Sequence, residues 1–228
     1  MVLDLHIHTK YGSADSYIDH KDLVPYAKRA KLDGICITEH GFEKTRVAER
    51  LSQEYDFLIL EGIEFSTDLG DMLVYGIDSI PRKFFLRADE LSQFVVQEGG
   101  VMFAAHPFRA EVTRSIERGI TPKVSLNDVL HRPLIGLVDG FEVANGLSVP
   151  EDVAFCKVVC EQAGLKSIGG SDAHQPYHIG SCVTIFENSI RCEADFVAAL
   201  KGGEFYAEDR RHRVQKRPNW WVDKKQRS

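Results

Sequence analysis

Two histidines stand one residue apart near the start of the chain, in the segment DLHIHTKYGSAD at residues 4–15. Side chains of a β-strand alternate between its two faces, so His6 and His8 would lie on one side and Ile7 on the other. Two such imidazoles can bind one metal ion, and imidazole nitrogen with carboxylate oxygen suits Zn²⁺, Mn²⁺ or Fe²⁺. The turn that follows carries Asp15, which could add a carboxylate ligand.

Other polar residues come later in the chain, each near the C-terminal end of a predicted strand. They are Glu39, His40, Glu64, His106, Asn145, Asp172 and His174. In a parallel barrel these strand ends meet at one face, where active sites are built. A single HxH pair is weak evidence, but repeated histidines and carboxylates at successive strand ends predict one metal-binding pocket.

The elements that must position these residues alternate regularly along the chain. Apolar and β-branched runs predict strands at VLDLHI, GICIT, FLILEGIEF, MLVYGI, GGVMFAAH, LVDGFEVA, KSIGGS and SCVTIF. Amphipathic patterns predict helices at residues 19–31, 43–54, 89–98, 125–131, 151–163 and 193–201. About seven strand–helix units without a linker predict an α/β protein whose parallel sheet closes as a barrel. We expect one barrel domain at residues 1–209 and a basic tail at 210–228.

Composition limits the class of protein. The 228 residues are 43% hydrophobic and 27% charged, which is typical of a globular protein. The chain shows no basic leader followed by an apolar stretch, and no apolar run of about 18 residues. We therefore expect no membrane association and a cytoplasmic location.

Charge is distributed unevenly. Residues 210–228 hold eight Lys or Arg and one acidic residue, a net charge of +7; because the whole chain carries −6, residues 1–209 carry −13. An acidic body attracts divalent cations and is a poor general binder of nucleic acid. Trp220 and Trp221 in the tail could stack on bases, but a solvated extension that folds back on the acidic body is the favoured interpretation.

The segments DLHIHTKYGSAD, LDGICITEH, LEGIEFST, FAAHPFR, GFEVANG and GGSDAH occur in this order. Together they resemble the motifs of the PHP family, the polymerase and histidinol phosphatase superfamily of metal-dependent phosphoesterases. The resemblance extends from Asp4 to about Phe186. It implies a distorted, TIM-barrel-like (β/α)7 barrel that holds two or three divalent transition metal ions, Zn, Mn or Fe, at the C-terminal ends of its strands.

The resemblance also implies a ligand set. A first ion would be held by His6, His8, Glu64 and Asp172. A second ion would share Glu64 and add His106. A third ion would be held by Asp15, His40 and His174. Asn145 stands where many relatives have a histidine, so it would be a weak ligand, and the second ion would be loosely held or absent.

Residues outside the ligand set have open roles. Glu142 and Glu39 would orient ligating imidazoles or simply lie at solvated strand ends. Arg109, three residues after His106, is a candidate for contact with a phosphate group, with a surface salt bridge as the alternative. With Asp172 and His174, it completes the set of candidate catalytic residues.

The function that these residues predict is hydrolysis of a small phosphomonoester or nucleotide-like substrate by a metal-bound hydroxide. The sequence has no GxSxG, Walker or GxGxxG motif, so neither a serine nucleophile nor nucleotide-driven chemistry is indicated. Two alternatives stay open. One is metal-dependent hydrolysis of an amide or lactone, and the other is a non-catalytic barrel that binds RNA or protein.

Overall fold

The computed structural model describes residues 1–83 and 85–211. Its strands are β1 Val2–Ile7, β2 Gly34–His40, β3 Leu58–Thr67, β4 Gly70–Tyr75, β5 Val101–Ala104, β6 Gly140–Asn145, β7 Lys166–Gly170, β8 Cys182–Phe186 and β9 Phe205–Asp209. Its α-helices are α1 His20–Arg29, α2 Ala48–Tyr55, α3 Ala88–Gln97, α4 Thr113–Glu117, α5 Leu126–Leu130, α6 Pro150–Ala163 and α7 Glu193–Gly202. Short 3-10 helices lie at Pro133–Gly136 and Pro176–His178. Trp220 and Trp221, singled out in the tail, fall outside the described residues.

One sheet contains all the strands of the described residues, in the order β7-β6-β5-β4-β3-β2-β1-β8-β9. The chain just after β7 returns to β1, where His8 N donates to Ala173 O at 3.1 Å and Ala173 N donates to His6 O at 3.3 Å. The sheet is thus a nearly closed barrel, and the predicted α/β barrel is confirmed. No helix within residues 1–83 and 85–211 is both long and apolar enough to cross a bilayer.

The prediction of a wholly parallel sheet is wrong for two strands, β4 and β8. β4 runs antiparallel to β3 and β5, and β8 runs antiparallel to β1 and β9. Only Asp68 and Leu69 connect β3 to β4, which is enough for a hairpin but far too short for a parallel crossover. The first residues of β4 therefore lie at the same end of the barrel as the last residues of β3. Strand β9 and helix α4 were not predicted.

A β-bulge in β1 brings the two histidines inside the barrel. Leu5 belongs to the buried cluster inside the barrel, whereas Ile7 packs in the cluster beneath α1. Strict alternation from Leu5 would place Ile7 inside and the histidines outside. The register of β1 against β2 shifts between Asp4 and Ile7, and this shift reverses the alternation. His6 and His8 therefore point inward, fully buried.

Helices α1, α2, α3 and α6 pack on the outer face of the sheet, close to their predicted positions, whereas the buried residues of α7 belong to the cluster inside the barrel. α1 begins at an Asp19 cap, whose side chain accepts from Lys21 N at 3.3 Å. α2 begins at Ala48, five residues later than predicted from residue 43, because Glu43 forms a β-bridge with Ser79. The Glu61 side chain accepts from Ala48 N at 3.2 Å and so fixes the start of α2.

Candidate metal centre

Four ligand side chains converge at the end of the barrel where β1, β3 and β7 finish. His6 Nε2 lies 3.0 Å from His8 Nε2, and Glu64 Oε2 lies 3.3 and 3.1 Å from these two nitrogens. Asp172 Oδ1 lies 3.6 Å from His6 Nε2 and 3.4 Å from His8 Nε2. These are the four residues of the first predicted ligand set, and the structure brings them together; we call them the inner group.

Glu64 tests whether these residues suit a metal ion. Its Oε2 atom is buried and makes no hydrogen bond within the described residues, although nitrogens of His6, His8 and His40 lie 3.1 to 3.3 Å away. A buried carboxylate oxygen without a hydrogen bond is costly and unusual. Ligand atoms of a tetrahedral ion with bonds of ~2.0–2.1 Å stand about 3.3 Å apart, which matches these separations. The donor atoms fit a divalent ion, and their nitrogen and oxygen chemistry suits Zn, Mn or Fe.

Hydrogen bonds to a carboxylate and to a serine hydroxyl orient the two imidazoles of the inner group. His6 Nδ1 lies 2.9 Å from Glu142 Oε1, and His8 Nδ1 lies 3.0 Å from Ser13 Oγ. Ser13 in turn donates to Glu39 Oε2 at 2.6 Å. Such partners fix the ring orientation of metal-binding histidines. Glu142 acts on His6 directly and Glu39 on His8 through Ser13, a residue that the sequence analysis missed.

Backbone strain and close packing also hold the inner group. His106 and Asp172 have φ of 32° and 52°, in the left-handed region that non-glycine residues rarely adopt. His106 N donates to Glu142 Oε2 at 3.0 Å, which helps to hold this strained conformation. At Gly170, a Cβ atom would lie 2.4 Å from His6 Cβ and 2.7 Å from Glu142 Oε1. The strand end at residue 170 therefore has room only for glycine.

The charges of the inner group are strongly coupled. Burial by itself would raise the pKa of Glu64 and Asp172, but the adjacent imidazoles, His6 first, hold the pKa of both carboxyls well below its usual range. Burial would lower the pKa of His6, yet Glu142, Asp172 and Glu64 raise that pKa well above its usual value. A cation that bound here would replace the proton on the imidazole, so binding would release protons.

A second set of histidines lies toward solvent, and we call His40, His174 and Asp15 the outer group. Ligand atoms of His8, His40 and His174 lie within 4.8 Å of one another. Asp15 Oδ2 lies 3.2 Å from His174 Nε2, and His40 Nδ1 lies 3.1 Å from Glu64 Oε2. The structure thus brings His40 and His174 of the third predicted ligand set together with His8, while Asp15 contacts His174.

His106 contacts Glu64 from the opposite side, and one of its neighbours was not predicted. His106 Nε2 lies 3.1 Å from Glu64 Oε1. Ligand atoms of Asp71, Glu64 and His106 lie within 4.8 Å of one another. Asp71 reaches this position because β4 is antiparallel, so its first residues lie beside the ligands. The sequence shows Asp71 directly before the apolar run that begins at Met72, a signal that a hairpin prediction could have used.

Arg109 and Asn145 complete the wall of the site. Arg109 Nη2 donates to Asn145 Oδ1 and to Asp172 Oδ2, both at 2.5 Å. The Asn145 amide donates to Glu142 Oε2 at 2.9 Å and accepts from Leu147 N at 2.8 Å. The oxygen of Asn145 that would serve as a weak metal ligand therefore faces a guanidinium group.

Comparison with known proteins identifies one matching family model and several solved structures with a similar fold. Residues 157–205 match the family model described as PHP-associated. No curated protein matches the sequence. Among solved structures, PsfC from Pseudomonas syringae is similar at 22% identity and a TM-score of 0.61 over 91% of each chain.

Two further structures share the fold. One is a two-domain protein from Bacteroides vulgatus that contains a predicted PHP-like metal-dependent phosphoesterase; it has 23% identity and a TM-score of 0.67, over 91% of this chain and 64% of that one. The other is an amidohydrolase from Chromobacterium violaceum with bound sulfate and no metal, with 16% identity and a TM-score of 0.60, over 78% of this chain and 89% of that one. The PHP-associated segment and the shared barrel together confirm the resemblance to the PHP superfamily that the motifs indicate.

Proposed function

We propose that this chain is a metal-dependent phosphoesterase that hydrolyses a small phosphomonoester or nucleotide-like substrate. The observation that carries the proposal is the buried Glu64 Oε2, which makes no hydrogen bond among the described residues while three imidazole nitrogens lie 3.1 to 3.3 Å away. His6, His8, Glu64 and Asp172 would hold one ion, and Asp15, His40 and His174 would hold another beside it. Divalent ions bound at these ligands would supply a nucleophile near neutral pH and offset charge on the phosphoryl oxygens.

Arg109 supports a phosphorylated substrate. Its Nη2 atom is engaged by Asp172 and Asn145, but its Nε atom is buried without a hydrogen bond in the described part of the chain. An N–H held ready in this way beside the ligands would donate to a phosphate oxygen. Arg109 is therefore the proposed contact with the phosphate group. Asp172 and His174 are the other two proposed catalytic residues, because each would hold one of the two ions.

A substrate panel tests the reaction class. Protein loaded with Mn²⁺ or Zn²⁺ should hydrolyse at least one phosphomonoester faster than phosphodiesters, amides or lactones. Asp172→Asn should abolish turnover while the circular dichroism spectrum stays unchanged. Asp195→Asn is the matched control and should keep full activity. It removes a carboxylate on α7 that pairs with Arg191.

Other results of the substrate panel would favour one of the two alternative functions. Turnover of amides or lactones alone would favour the second hydrolytic function, for which the amidohydrolase neighbour supplies the shared fold. Metal-loaded protein that turned over no member of the panel would favour the non-catalytic barrel. A cytoplasmic location remains a prediction from the sequence, and nucleic-acid contact through the tail remains the less favoured alternative to a solvated extension.

A further inference from the structure

Arg109 occupies part of the donor cluster itself. His6, His106 and Asp172 offer ligand atoms within 4.8 Å of one another, which makes them a candidate ion site in their own right. Arg109 Nη2 lies 2.5 Å from Asp172 Oδ2, an oxygen that also lies 3.9 Å from His106 Nε2. A guanidinium group thus already contacts one of the two carboxylate oxygens that Asp172 could offer to this candidate site.

The two oxygens of Asp172 face different groups. Oδ1 faces the Nε2 atoms of His6 and His8 at 3.6 and 3.4 Å, where the inner group converges. Oδ2 faces Arg109, which also donates to Asn145 Oδ1. Arg109 is four-fifths buried, and a guanidinium keeps its charge at any physiological pH.

A divalent ion on Asp172 Oδ2 would therefore lie against a fixed positive charge. At a few ångströms, repulsion between a divalent and a monovalent cation stays strong even at an effective dielectric constant of about 20. Arg109 would have to leave both of its acceptors to relieve that repulsion.

We infer that Arg109, rather than a metal ion, supplies the positive charge on the His106 side of the centre, so that the chain binds two ions and not three. One ion belongs to the inner group and one to the outer group. This inference rests on the metal centre of the proposed function. It explains why a weak ligand such as Asn145 suffices at its position, because Asn145 holds an arginine and not an ion.

Metal stoichiometry tests the inference without relying on activity. Metal-free protein is loaded with Mn²⁺ or Zn²⁺, exchanged into metal-free buffer and measured by plasma mass spectrometry. We expect two ions per chain in the wild type, three in Arg109→Met, and two in Arg109→Lys, which is the matched control that keeps the charge. Anomalous diffraction from loaded wild-type crystals should show Arg109 on Asp172 and no ion within bonding distance of Asp172 Oδ2.

Several results would overturn the inference. They are three ions in the wild type, an ion on Asp172 Oδ2 in the crystals, or two ions in a folded Arg109→Met. If the wild type binds three ions and Asp71→Asn reduces the count to two, the extra ion lies between Asp71, Glu64 and His106, and the inference again fails. Should Arg109→Met not fold, the wild-type count and the diffraction experiment decide alone. A wild type that binds no ion would instead refute the proposed function.

Discussion

The inner and outer groups differ in how the fold holds them. His6 and His8 are fully buried, whereas the side chains of His40 and Asp15 are 47% and 64% exposed. The inner imidazoles have fixed partners in Glu142 and Ser13, and strained backbone supports the neighbouring ligands. Within residues 1–83 and 85–211 no comparable partner holds the His40 ring, whose Nδ1 atom contacts Glu64 at 3.1 Å. We conclude that the fold preorganises the inner site and leaves the outer site open, so the inner ion should bind more tightly.

Glu64→Gln should break both groups at once and have the largest effect. One of its oxygens faces His6, His8 and His40, and the other faces His106. Loss of the charge should cost more than the roughly 10–100-fold that follows removal of a partner behind a ligand. Plasma mass spectrometry should find fewer than one ion per chain, and turnover should vanish. Retention of both ions would mean that Glu64 is not their common ligand.

Gly170→Ala should disrupt the inner group and lower stability. The new Cβ atom would lie 2.4 Å from His6 Cβ, so His6 or the strand must shift, at a cost of about 1–3 kcal/mol in the free energy of unfolding. Gly202→Ala is the matched control, because nothing lies within 4 Å of a Cβ atom at that position. Thermal unfolding of the two metal-free variants measures the difference. Equal stabilities would show that the site tolerates movement of β7 against β1.

The sequence predicts which side chains converge at the candidate site much better than it predicts their surroundings. His6, His8, His106 and Asp172 could be found because each lies at the end of an apolar run, and strand ends meet in a barrel. Asp71 could not be found while its strand was assumed to be parallel to β3. Periodicity locates the two strands but not their relative direction, which is set by the two-residue link between them.

The contacts of Arg109 could not be predicted from the sequence either. Asn145 lies 36 residues and Asp172 lies 63 residues from it in the chain, and only the closed barrel brings the three together. Simple alternation predicted that His6 and His8 share one side of β1, but their inward direction depends on a register shift in that strand. Motifs identify chemistry at strand ends, whereas bulges and hairpins determine which side chains meet.

Glu142→Gln should weaken the inner group without unfolding the barrel. Glu142 orients His6 through Nδ1 and also accepts from His106 N and the Asn145 amide. Removing its charge should reduce affinity for the tighter ion by about 10–100-fold and leave the weaker ion unchanged. Two-step calorimetric titration of metal-free protein separates the ions. An equal loss at both steps would contradict the division into two groups.

Asp15→Asn should have the smallest effect and should act on the outer group alone. The Asp15 carboxylate contacts His174 at 3.2 Å but is mostly exposed, so solvent screens its charge and its loss should weaken the second ion by less than about tenfold. The same calorimetric titration should leave the first step unchanged, as should Asp195→Asn, which removes a carboxylate far from the barrel opening. A lost first step would show that the turn after β1 supports the buried ligands as well. In that case the two groups would form one cooperative centre, and the contrast between a preorganised and an open site would fail.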